Sequence, residues 1–138
     1  MTVEELKHIL FNLDTIQKLY EQSKLMIEVI DYRMEGVKGI MYHDEPTRIS
    51  VDRQKRLIEL MMKKDKVVLK QEYYSDMLNE VQRFINSLQG QEKAIVISRF
   101  KHGKAINDIA DNLSINTRTV YRIINETIRN YCDKEDEC

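Results

Sequence analysis

Residues 106–131 read INDIADNLSINTRTVYRIINETIRNY. Ile106, Ile109, Ala110 and Leu113 share one face of a short helix, and Ser114-Ile115 interrupts the period. Val120, Ile123, Thr127 and Ile128 then set the inward face of a second helix. Helices joined by so short a break must cross closely, and the small Ala110 stands where they would meet. Ile115 is expected to plug the turn and Asn116 to cap the second helix. Ser114 occupies a position where glycine is usual.

Upstream, Gln89-Gly90 separates this pair from QEKAIVISRFKH, residues 91–102, a third short helix closed by Gly103. Residues 91–132 therefore read as a trihelical helix-turn-helix unit. The segment from Val3 to about Glu35 carries apolar residues at helical spacing, including Leu6, Ile9, Leu13, Ile16 and Ile30. GVKGIMYHDEPTRIS, residues 36–50, holds two of the four glycines and the only proline, so it is the expected loop, with Ser50 as the following N-cap. A second long helix is expected from about Val51 to Leu88.

The expected fold is all-α: an N-terminal long antiparallel helical hairpin over 1–88, the trihelical unit over 91–132 and an acidic tail over 133–138. The hairpin's apolar stripe exceeds what two helices can bury on each other. Its expected cover is the C-terminal lobe or a second copy, which makes the chain a candidate homodimer through its N-terminal helices.

Composition narrows the function classes. With 42% hydrophobic and 33% charged residues, the chain is a folded protein rather than a disordered one. No run approaches the roughly 20 apolar residues of a membrane span. The opening MTVEELKHIL lacks the basic segment of a signal peptide, so a cytoplasmic location and no membrane partner are expected. Cys132 and Cys138 would close only the tail and read as free thiols, while His8, His43 and His102 are too scattered for a zinc site. There is no glycine-rich phosphate loop, nucleophile elbow or metal-protease motif, so no enzyme, cofactor or metal is expected. The methionines Met26, Met34, Met61, Met62 and Met77 are expected as core filler, and Tyr73 and Tyr74 in the hairpin interface.

The candidate chemistry lies on the last helix. At about 100° per residue, Arg118, Tyr121, Arg122, Asn125 and Arg129 fall within one arc of roughly 100°. Arginine and asparagine make bidentate contacts with guanine and adenine edges in the major groove. Thr117 and Thr119, at the helix start, suit phosphate oxygens, and Lys104 completes the candidate DNA-binding set. No acid occurs from Ser114 to Asn125. Net charge is −1 overall, yet residues 91–132 carry +3 while residues 1–50 and 133–138 carry −3 each. Double-stranded DNA is the expected partner; the competing reading is a packing unit with solvated arginines.

The stretch INSLQGQEKAIVISRFKHGKAINDIADNLSINTRTVYRIINETIRNY resembles region four of bacterial sigma factors. The shared features are a leucine before the first helix, an early glutamate, "SRF" followed by glycine, "DIADNL" and a capped second helix. The whole chain resembles phage and prophage transcriptional regulators of the ArpU/RinA type, which place a loop like His43-Asp44-Glu45-Pro46 ahead of a sigma-like unit. The resemblance implies control of late phage genes by promoter binding and contact with RNA polymerase. It places Thr117, Arg118, Tyr121, Arg122 and Asn125 where sigma region four touches DNA. Several of those places hold arginine or glutamate in sigma factors but threonine or tyrosine here, which implies a target unlike the standard −35 element. Two other readings remain at this stage: a small terminase-like packaging oligomer and a sigma-like protein–protein module.

Overall fold

A computed structural model describes the backbone of residues 1–41 and 48–136, and the side chains of 1–38 and 51–135. The fold is all-α. Its elements are α1 (Val3–Phe11), α2 (Leu13–Met41), α3 (Arg48–Asn86), α4 (Gly90–Val96), a π-helical turn (Ile97–Lys101), α5 (Ile106–Leu113) and α6 (Thr117–Asp136).

The single helix expected from Val3 to Glu35 is two. Asn12 ends α1 by turning its amide on the backbone: Nδ2 donates to the His8 carbonyl at 2.8 Å. A short polar side chain that bonds the chain beside it competes with the helix ladder. At its start α1 carries a capping box, in which Thr2 Oγ1 accepts from the Glu5 amide and the Glu5 carboxylate accepts from the Thr2 amide.

The loop also differs from expectation. α2 continues to Met41 through Gly36, and α3 begins at Arg48, so Ser50 lies inside a helix rather than at its cap. A glycine in a helix interior costs only about 1 kcal/mol against alanine, which the long flanking helix absorbs. His43-Asp44-Glu45-Pro46 lies outside the described residues.

The chain forms two compact units, Met1–Ile16 with Asp76–Cys138, and Gln17–Ser75. This division falls inside α2 and α3 rather than between residues 88 and 91. The reason is the size of the C-terminal helices, which are too short to bury a core on their own. Leu6, Ile9 and Leu10 of α1 and Val81, Phe84 and Ile85 of α3 are buried together with Ile95, Val96, Val120 and Ile128 of the same unit. α1 and α4 both pack on α6.

The second unit is an antiparallel pair. Asp31 of α2 meets Lys64 of α3 at 2.6 Å. Leu19, Ser23 and Met26 line one cavity of about 200 Å³ with Val67, Lys70 and Tyr74. Tyr74 faces this groove, whereas Tyr73 is exposed. Met26, Met61 and Met62 are exposed too, so for them the expectation of core filling does not hold.

The break between α5 and α6 falls where the sequence suggests, at a conformational cost, but among the described residues no bond from the Asn116 side chain caps α6. Ser114 adopts φ 56 and ψ 42, a left-handed conformation that L residues rarely take. The Ile115 amide donates to the Ala110 carbonyl at 3.0 Å and that of Ser114 to Asp111 at 3.3 Å. Ser114→Gly relieves the Cβ clash, offset in part by glycine's larger unfolded entropy. A net gain of about 0.5–1 kcal/mol is expected in thermal or urea melts. A loss of stability would show that the serine side chain holds the turn.

Candidate nucleic-acid interface

α6 begins as α5 ends: the Asn116 carbonyl accepts from the amides of Thr119 (3.0 Å) and Val120 (3.2 Å). Its buried stripe is Val120, Ile124, Thr127, Ile128 and Cys132. The inward isoleucine is thus Ile124, and Ile123 is only half-buried. α1, α4 and α5 all pack on α6. Thr127 is accommodated in the core because its hydroxyl donates to the Ile124 carbonyl at 2.8 Å. α6 runs on to Asp136, so the first residues of the expected acidic tail are helical, while residues 137 and 138, Cys138 among them, lie outside the described set.

An exposed arc beside this stripe carries the candidate residues. Arg118, Tyr121, Arg122, Asn125 and Arg129 are all exposed, as are Thr117 and Lys104; Thr119 is half-buried. The first five lie within about 100° of one another on successive turns of α6; Val120, Ile124 and Thr127 lie away from them, while Ile128 and Cys132 border the arc beside Tyr121. Among the described residues, the guanidinium groups of Arg118, Arg122 and Arg129 enter no ion pair, in contrast to Arg83, which binds Glu80. Lys104 sits in the connection before α5, where Arg99 Nη1 donates to its carbonyl at 3.1 Å and fixes the loop. Asp108 and Asp111 are exposed on α5, so cationic contacts fall to α6 and Lys104.

What holds this face in place was not visible in the sequence pattern. The Tyr131 ring stacks edge-on against Phe84, with centroids 5.2 Å apart and planes at 67°. The Tyr131 hydroxyl donates to Glu80 Oε1 at 2.9 Å, and Arg83 Nη2 donates to Oε2 of the same carboxylate at 2.8 Å. Glu80 is 8% exposed. A carboxylate so enclosed requires partners for both oxygens, and it receives them. Lys101 adds a bond to Gln82 at 3.3 Å, so the turn before α5 is also tied to α3. No local signal links residues 51 positions apart.

Burial, followed by the neighbouring Glu80 and Glu135 carboxylates, holds the Tyr131 hydroxyl well above the usual phenol range. The folded chain therefore keeps a proton that the unfolded chain releases above about pH 10. Folding stability must fall as pH rises through that region. Between about pH 8 and pH 11, wild type is expected to lose more stability in urea titrations than Tyr131→Phe. Equal losses would mean that the hydroxyl is solvated. At neutral pH the same variant leaves one Glu80 oxygen without its donor and is expected to cost about 1–3 kcal/mol.

Among the described residues there is no group of three or more His, Cys, Asp or Glu placed to hold a metal ion, and no helix long and apolar enough to cross a membrane. No family model, curated protein or solved structure matches the chain.

Proposed function

We propose that the chain is a sequence-specific, double-stranded-DNA-binding transcriptional regulator. α6 is its reading helix, and Arg118, Arg122 and Asn125 contact base edges. The observation that carries this reading is the exposed arc of Arg118, Tyr121, Arg122, Asn125 and Arg129, backed by a fully formed core stripe. Its arginines are not engaged by carboxylates among the described residues. Arginine's planar fork matches the paired acceptors of guanine, and asparagine matches adenine. A helix that is already folded and anchored adds no backbone ordering cost on docking, so only the side chains, at about 0.5–1.5 kcal/mol each, are left to order. Thr117, Thr119 and Lys104 supply backbone contacts that set register without reading sequence. The resemblance to sigma region four and to ArpU/RinA-type regulators extends the proposal to promoter binding, contact with RNA polymerase and control of late phage genes in the cytoplasm.

The test is selection from a phage-genome fragment library at two salt concentrations, with wild type beside Arg118→Ala/Arg122→Ala. Enrichment of one short motif, lost in the double variant, supports the proposal. Weak, unselective binding that the substitutions leave unchanged would show the arginine face to be solvated surface, and a polymerase-binding or packaging role would take its place.

A further inference from the structure

Of the thirteen exposed large hydrophobic residues among those described, ten lie between Gln17 and Ser75. Five of the ten form one line. Val51, Met62 and Tyr73 are eleven residues apart, as are Ile58 and Leu69. Eleven residues make three helical turns almost without drift, so these side chains stay on a single seam of a nearly straight helix. At 100° per residue they occupy an arc of about 60°. The line spans about 33 Å of α3 at 1.5 Å per residue. The half-buried Leu60, Lys64, Val67, Gln71 and Tyr74, which include the residues that meet α2, lie on the other side of the helix. The seam is thus a second apolar face that the hairpin itself leaves uncovered: Leu69 is 66% exposed and Tyr73 60%.

The borders of the seam say what covers it. On one flank stand Asp52, Lys55, Glu59, Lys66 and Lys70, and on the other Gln54, Met61, Asp65 and Glu72, all exposed. One border is net basic; the other has no cation. Two copies of α3 related by a twofold axis along their length bring opposite flanks together. A twofold axis across them brings each flank against itself, lysines against lysines. Flanking charges of this kind set partner choice and orientation in paired helices.

We infer that the outer face of α3 is a homodimer seam, formed by parallel pairing with the α3 of a second copy of this chain. Met62 and Leu69 pack on their own counterparts, and Asp65 meets Lys70 of the second copy. The inference is independent of the nucleic-acid reading and is measured without DNA.

Sedimentation equilibrium of the full chain is expected to give twice the 16.5 kDa chain mass. Leu69→Glu is expected to return it to a monomer with an unchanged far-UV spectrum, because Leu69 contributes to no core within the chain. Asp65→Lys or Lys70→Glu alone should weaken the dimer at least tenfold, and the two together should restore it. On a Cys138→Ser background, Leu69→Cys should form a disulfide-linked dimer. Antiparallel pairing, in which Leu69 falls opposite Met62, leaves that variant uncrosslinked and overturns the parallel assignment. A monomeric wild type, or a dimer indifferent to Leu69→Glu, overturns the seam itself.

Discussion

Phe84→Ala is expected to lower folding stability by about 3–5 kcal/mol, the range for removing a buried aromatic side chain. Phe84 is fully buried. Its ring forms the wall against which Tyr131 stacks, so its loss leaves a cavity beneath α6 rather than at the edge of the core. The cost has two parts: the apolar area returned to water and the dispersion contacts that no neighbour replaces. A third effect follows from geometry. Tyr131 reaches Glu80 from a ring held by Phe84, and a ring free to tilt lengthens that 2.9 Å bond. Set against a typical total of about 5–15 kcal/mol, the loss removes from about a fifth to nearly all of the folding stability. Phe84→Leu retains most of the volume and is expected to cost much less. Urea midpoints at one pH measure both. A loss below about 1 kcal/mol for the alanine variant would mean that the core collapses to fill the site and that α6 does not depend on this wall.

The all-α architecture was legible because periodicity reports local structure, and long helices are local. The Ser114 turn was legible for the same reason: serine in place of glycine changes the energy of the turn, not its geometry. What the periodicity hid was partnership. The apolar stripe of α1 continues in phase into α2, so nothing in it reveals that Asn12 separates them, or that Leu6 and Leu10 join the core of the C-terminal unit. A hydrophobic stripe states that a face is buried but not against what. The same ambiguity misassigned Ile123: the stripe's width admitted either isoleucine, and Ile124 is the buried one. It also placed Met61 and Met62 in a core they do not enter. The exposed arc of α6, by contrast, needed only a helix and its phase, so Arg118, Tyr121, Arg122, Asn125 and Arg129 emerge on one face as expected.

That arc carries the largest expected functional effect. On the sequence recovered by selection, Arg118→Ala/Arg122→Ala should weaken binding by about 30-fold to 10⁴-fold, since each bidentate base contact discriminates by about 1–3 kcal/mol and 1.4 kcal/mol is tenfold. Loss of charge alone would also weaken binding, so the deciding variant is Arg122→Lys. Lysine keeps the cation but not the planar fork, and it therefore preserves attraction to phosphates while losing the paired contact to one base. If Arg122 reads a base, Arg122→Lys loses affinity for the selected sequence, relaxes preference at one position and leaves binding to unrelated DNA unchanged. If Arg122 only neutralises a phosphate, Arg122→Lys binds like wild type. Arg122→Ala then weakens all sequences alike and lowers the slope of log affinity against log salt by about 0.9. The chain as a whole is net negative, and its exposed anions include Asp108 and Asp111 on α5. On the proposed reading, the contacts of α6 with bases supply the selectivity, which is why one guanidinium exchanged for an ammonium is expected to remove so much of the preference for the selected sequence.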